Sequence, residues 1–205
     1  GNNINTTTAN IYSGANEGNT GKIDIIGENT IETGPIDLAS GFEREQKPVN
    51  ENFTLIPRRT GKATKGEAGD ITIRSKNSTI DTTGGTINSR SPDGTGNITL
   101  NAKGNITTGK LEASALNELT PTTGGDVNIT SEQGEINATQ NIETFSEKGT
   151  AGDVNITAAG HIHTNTIRSD GMEQGGDINI RSDSESSIDA AGALQTYSDA
   201  GTAGN

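Results

Sequence analysis

Gly124-Gly125-Asp126-Val127-Asn128-Ile129-Thr130 returns almost unchanged as Ala151-Gly152-Asp153-Val154-Asn155-Ile156-Thr157, and again as Gly175-Gly176-Asp177-Ile178-Asn179-Ile180. The shared unit, G-[DNK]-[IV]-[DTN]-[IL], starts at Gly21, Gly69, Gly96, Gly125, Gly152 and Gly176. The last five starts are 27, 29, 27 and 24 residues apart, and a truncated copy, Gly204-Asn205, follows Gly176 by 28. Apolar and polar residues alternate within each copy, so Ile71 and Ile73, or Val154 and Ile156, fall on one face of a strand.

Working outward from this unit, a single isoleucine flanked by small polar residues follows each glycine after 10 to 12 positions, at Ile31, Ile80, Ile106, Ile136, Ile162 and Ile188. A third aliphatic comes 5 to 7 residues later, at Ile36, Ile87, Leu111, Ile142, Ile167 and Leu194. Each repeat therefore holds three short strands separated by Gly, Asn, Asp, Ser and Thr turns, as a chain does when it wraps a three-sided solenoid. No sustained stripe of helical period appears, and Gly, Thr and Asn dominate the chain, so helices are hard to place.

Composition agrees only with a narrow core. Of 205 residues, 27% are hydrophobic and 2% aromatic, with 28 glycines and neither cysteine nor tryptophan. So little apolar area ordinarily leaves a chain disordered, because burial cannot offset the entropy of ordering it. Stacked coils escape this limit: each needs only a few inward aliphatics, since its neighbours above and below supply the remaining contacts. The expected fold is all-β, a right-handed parallel β-helix forming a three-walled solenoid of about seven coils, continuous through 1–205.

The period breaks once, between Gly21 and Gly69, which are 48 residues apart. The excess lies at about 41–66, which holds two of the five prolines, Phe42, Phe53 and the cations Arg58, Arg59, Lys62 and Lys65. This composition predicts an insertion projecting from the solenoid, a hairpin around Phe53, Leu55 and Ile56, with an extra degenerate coil as the alternative. At the ends, Gly1-Asn2-Asn3-Ile4-Asn5 resembles the repeat unit and Gly204-Asn205 starts another, so both ends are expected to be open and to pair with further chain or with a neighbour.

The formal charge is −12 and the acids are dispersed. Nucleic acid is not an expected partner, since phosphate contact wants clustered Lys and Arg, and the one dense basic stretch has no interleaved aromatics. Lack of cysteine removes disulfides, thiolate zinc sites and thiol catalysis. No window is long and apolar enough for a membrane span, and with neither a signal peptide nor an initiating Met the sequence is expected to be a fragment or processed product.

The stretches Gly124 to Thr130, Ala151 to Thr157, Thr95 to Gly109 and Gly175 to Ile180 resemble the filamentous-haemagglutinin-type repeats of two-partner-secreted bacterial exoproteins, particularly the large cyanobacterial ones. The likeness covers nearly the whole chain apart from 41–66. It implies export through a dedicated outer-membrane β-barrel transporter, folding outside the cell, and a part in adhesion, aggregation or surface fibres. The amino-terminal secretion module of that family is not recognisable.

Candidate sites are few, and no catalytic, cofactor-binding or metal-ligating residue is assigned. Asp70, Asn97, Asp126, Asp153 and Asp177 follow the repeat glycines and should stack along one edge. Their expected role is to accept backbone N–H bonds in turns, with calcium as the alternative. His161 and His163 flank inward Ile162 and should point outward together, a pair that lacks a third metal ligand. Carboxylate pairs such as Glu132 with Glu135, or Asp183 with Glu185, are expected by chance in an acidic chain, and Tyr12, Phe42, Phe53, Phe145 and Tyr197 are scattered, so a polysaccharide-acting enzyme is a minority reading. The outward neighbours of the second-strand isoleucines, including Thr79, Asp81, Asn105 and Thr107, make no regular ice-binding lattice. N-x-[ST] occurs at Asn5, Asn52, Asn77, Asn97, Asn105, Asn128, Asn137 and Asn155, mostly because strands are written N-I-T. The expected function is that of a structural or adhesive segment of an extracellular bacterial surface protein, self-associating or touching surface glycans. A polysaccharide-acting enzyme and a ligand-free filament subunit are the alternatives.

Overall fold

In the computed structural model, residues 3–15, 18–40, 44–49, 52–57, 66–117, 120–183 and 185–205 are described, with side chains for all of these except 44–49 and 52–57. The described residues form strands and turns without a helix, in three parallel sheets and one two-stranded ribbon. Every third strand of the chain stacks on its predecessor, which is the topology of a three-walled β-solenoid.

The first wall comprises the repeat units themselves, at Ile23–Gly27, Ile71–Ser75, Ile98–Ala102, Val127–Ser131, Val154–Ala158 and Ile178–Ser182. Its register aligns like residues, for instance Val127 with Val154 and Ile129 with Ile156. The second wall has seven strands of three residues, from Ile4–Thr6 to Ile188–Ala190, and all but the first open on an isoleucine identified from its spacing. Seven five-residue strands, from Ile11–Ala15 to Leu194–Ser198, make the third. Six coils are thus complete, and two strands of a further coil precede them.

One expectation needs correction. Ile4–Thr6 does not belong with the repeat units of the first wall; it pairs with Ile31–Thr33 in the second. The cause is visible elsewhere in the chain: Gly96-Asn97-Ile98-Thr99 sits in the first wall, whereas the same four letters at Gly104-Asn105-Ile106-Thr107 sit in the second. The short pattern does not encode the wall. Distance to the next aliphatic does, and the 7 residues from Ile4 to Ile11 match those from Ile80 to Ile87.

Within the expected insertion, Arg44–Val49 and Asn52–Pro57 pair as an antiparallel hairpin, with Pro48 opposite Phe53 and Gln46 opposite Leu55. No coil intervenes in the stack at this point, because Ile23 pairs directly with Ile71 and Ile36 with Ile87. The extra-coil alternative is therefore wrong. Phe42 and the cations at 58, 59, 62 and 65 lie outside the described residues.

The core is a thin column. Each central coil contributes two large aliphatics from the first wall and one from each of the others, as with Val127, Ile129, Ile136 and Ile142, all buried. The remaining inward positions are small or hydroxylic, such as Thr82, Thr108, Ser89 and Ser169. These hydroxyls are not wasted: Ser169 Oγ and Thr144 Oγ1 both donate to the carbonyl of Gly152, at 2.8 and 2.6 Å, joining the third wall to the first across the core. Such a partner offsets the cost of burying a hydroxyl, a cost that Thr33 and Thr164 carry without one among the described residues.

Coil spacing explains the repeat glycine. A Cβ on Gly152 would lie 2.2 Å from the carbonyl oxygen of Gly125, and one on Gly176 would lie 2.3 Å from that of Gly152. The glycines let successive backbones approach at the first corner, and none of the repeat glycines is among the described positive-φ positions.

Candidate functional site

The Asx residues after the repeat glycines form an unbroken ladder. The side-chain oxygen of Asp70 accepts from the backbone N–H of Asn97, Asn97 from Asp126, Asp126 from Asp153, Asp153 from Asp177 and Asp177 from Asn205, at 2.8–2.9 Å. They accept backbone N–H bonds, as expected, but from the next coil rather than within their own turn, so their role is to hold one coil to the next. Asn128, Asn155 and Asn179 add a parallel amide ladder on the outer face of the first wall, with bonds of 3.1 Å.

His161 and His163 are exposed on the outer face of the second wall. The Nδ1 of His161 accepts the backbone N–H of Ser187 at 3.0 Å, and the Nδ1 of His163 lies 3.1 Å from Asp189. Each histidine thus meets the following coil rather than its fellow. Among the described residues no group of three or more His, Asp or Glu converges as metal ligands do. Glu132, Glu135, Asp183 and Glu185 are all exposed at corners.

The third wall is different. Its outward positions form two columns along the rod: one runs Glu112, Glu143, Arg168, Gln195, the other Ser114, Phe145, Asp170, Tyr197. Tyr12 stands on the same wall opposite Asp37. Three of the five aromatics, far apart in the chain, therefore share one face, which overturns their apparent scatter. Sequence reading missed this because each outward residue was judged singly; aligning the third-strand aliphatics and reading the positions one and three further on would have lined the columns up.

Two adjoining clefts open on this face. One of about 330 Å³ is walled by Glu112, Leu116, Glu143, Phe145, Arg168 and Asp170. The second, of about 210 Å³, shares Phe145, Arg168 and Asp170 and continues to Tyr197 and Asp199. Larger hollows at the corners, one beside Asp183 and Glu185 and one beside Asp93 and Pro121, carry no aromatic side chain.

No family model, curated protein or solved structure matches this chain. Its reading therefore stands on the geometry.

Charges on the third wall are arranged in coil-spanning groups. Lys110 Nζ bridges Glu112 and Glu143 at 3.1 and 2.8 Å. Burial raises the Glu143 carboxyl, but hydrogen bonds from Lys110 and Asn141 and the charges of Lys110 and Arg168 outweigh it and hold the group below its ordinary value. Lys110 is opposed by burial too, yet the bond it donates to Glu143 and the charge of Glu112 hold it above the usual lysine value. Arg168 is paired with one oxygen of Asp170. The other oxygen, Oδ1, is shielded from solvent and has no donor among the described residues. The phenol of Tyr197 donates to Asp199 at 2.5 Å, and that bond, with the charge of Asp199, raises its pKa.

Chemically, this face can bind. A general acid at neutral pH needs a carboxyl held above its ordinary value, and Glu143 is displaced the other way.

Proposed function

We propose that this chain is a structural and adhesive segment of a secreted bacterial surface protein, a stiff β-solenoid rod that holds a binding face away from the cell. The observation that carries the reading is the uninterrupted stack: two sheets of seven parallel strands and one of six, locked coil to coil by the Asx ladder. A rod of this kind resists bending and repeats its backbone geometry at every coil, so weak contacts along it add through avidity. Lack of cysteine suits threading through an outer-membrane transporter as an unfolded chain. Extracellular placement follows from this reading and from the resemblance of the repeats to filamentous-haemagglutinin-type exoproteins. The hairpin at 44–57 is a second place for recognition, because loops on rigid scaffolds carry function.

Catalysis is not part of the proposal. The third-wall clefts favour a polysaccharide-acting alternative, in which Glu143, held ionised, would serve as base or nucleophile and not as the proton donor to a leaving group. Inert beads coated with the purified chain test adhesion. They are expected to adhere to bacterial or host cells and to aggregate above a certain coating density; beads no stickier than those coated with an unrelated acidic protein would sink the reading. Negative-stain microscopy over a concentration series separates isolated rods from end-to-end filaments.

A further inference from the structure

We infer that the two adjoining clefts on the third wall are one binding site for an uncharged polysaccharide, lying along the rod axis with its rings over Phe145 and Tyr197. This deepens the adhesive reading and rests on it.

The platforms come first. Phe145 and Tyr197 occupy the same outward column on either side of Asp170, two coils apart. At a strand spacing of about 4.8 Å their backbones are about 10 Å apart, the reach of two sugar rings in an extended chain. Flat apolar faces at that interval suit the C–H faces of pyranoses, while their edges remain open to hydrogen bonds.

Asp170 supplies the polar contact. It is only 5% exposed, lies between the two platforms and lines both clefts. One carboxylate oxygen is held by Arg168, and Oδ1 has no donor among the described residues. A buried carboxylate oxygen without a donor is costly, and in a folded protein it calls for an explanation. A sugar hydroxyl entering where the clefts meet donates to Oδ1 once the carboxylate turns about χ2, and the half-exposed Arg168 follows the other oxygen, so that both are paired.

Charge sets the ligand class. Glu112, Glu143, Glu147, Asp170 and Asp199 face Arg168 in the lining and Lys110 beside it. An anionic glycan would be repelled by this excess of carboxylates, so the ligand is a neutral polymer of hexoses or pentoses.

The test is retention of the folded chain on immobilised polysaccharides: neutral β-glucan, xylan, mannan and galactan, with polygalacturonate and hyaluronate as acidic counterparts. Binding to at least one neutral polymer is expected. Tyr197→Ala, at a half-exposed residue, should weaken it about tenfold, and Asp170→Ala at least as much. Asp170→Ala should also melt no lower than the parent, because it removes an unsatisfied buried group; loss of binding without loss of stability is a result that a merely structural Asp170 would not produce. Thr157→Ala, on the outer face of the first wall, should leave retention unchanged. Retention on the acidic polymers alone, retention insensitive to both third-wall substitutions, or no retention on any polymer overturns the site. In the last case, beads that still adhere to cells would leave the adhesive reading standing. Release of new reducing ends would uphold the cleft and overturn the non-catalytic reading.

Discussion

Gly152→Ala tests the close approach of coils most directly. The new Cβ would sit 2.2 Å from the Gly125 carbonyl oxygen, 2.4 Å from its carbon and 2.8 Å from Asp126 N, all backbone atoms that cannot swing away. Ordinary contact begins at 3.4 Å, so the coils must part locally by about 1.2 Å. Two inter-coil bonds straddle the point, Asp153 N–H to Asp126 Oδ1 and Val127 N–H to the Asp153 carbonyl, each 2.9 Å long. Losing both costs about 1 kcal/mol apiece, and overpacking strain adds about 1–3 kcal/mol. Alanine returns roughly 0.5–1 kcal/mol by stiffening the unfolded chain. The net loss is roughly 2–4 kcal/mol, or a melting midpoint lower by roughly 5–15 °C for a chain of this size. Gly21→Ala is the internal control: it occupies the same motif position, but a Cβ there meets nothing within 4 Å. Its midpoint should be unchanged or slightly higher. Thermal melts followed by far-ultraviolet circular dichroism on both variants decide the matter. If Gly152→Ala melts within about a degree of the parent, or if Gly21→Ala falls as far, coil spacing is not what the glycine serves.

Three further outcomes follow from the same geometry. Ile129→Ala, in a fully buried position between Leu100 and Ile156, should cost about 2–5 kcal/mol in a urea titration, whereas Ile26→Ala, at an exposed outward position, should cost little. Because Glu143 is held below its ordinary value, its contribution is present above the unfolded carboxylate pKa and lost as pH falls through the folded one; Glu143→Gln should therefore flatten the acid limb of a plot of midpoint against pH. Lys110 is held above its ordinary value, so its share is full below the unfolded lysine pKa and fades as pH rises through the folded one, and Lys110→Met should flatten the alkaline limb. Replacing 41–65 by Gly-Gly leaves seven residues between Ser40 and Ile71, the number between Ser146 and Val154, so the rod should keep its melting midpoint within a few degrees while any adhesion carried by the hairpin disappears.

Wall assignment was legible because inward positions obey the strictest rule in the molecule. Ile80, Ile106 and Ile136 must meet one another in register, and a one-residue slip would turn each outward. The Asx ladder was also legible, since Asp126 and Asp153 recur beside the same glycine. Gly1 to Asn5 was misplaced because four letters that fit two walls carry no wall label. The third-wall site was illegible for a related reason: outward residues are not constrained to repeat, so Phe145, Asp170 and Tyr197 differ from coil to coil and share no motif. Only the register brings them together.

That difference between walls bears on function. On the first wall the corner and one outward column are committed to coil-to-coil bonds, through Asp126, Asp153 and Asp177 at the corner and Asn128, Asn155 and Asn179 on the face. Changing any one of them leaves its partner in the neighbouring coil without a bond, so this wall has little freedom to acquire a ligand. The third wall takes its cohesion from inside, where Thr144 and Ser169 reach the Gly152 carbonyl. Its outer columns hold the stack only through separate ion pairs, such as Lys110 with Glu143, and not through a continuous ladder. They carry Glu143, Arg168, Phe145 and Asp170 in an order that no ladder requires, including one buried carboxylate oxygen that the fold itself does not satisfy. A solenoid that secures its coils on one wall and leaves another free to vary can keep its rod while changing what it binds, and here the free wall is the one with the clefts.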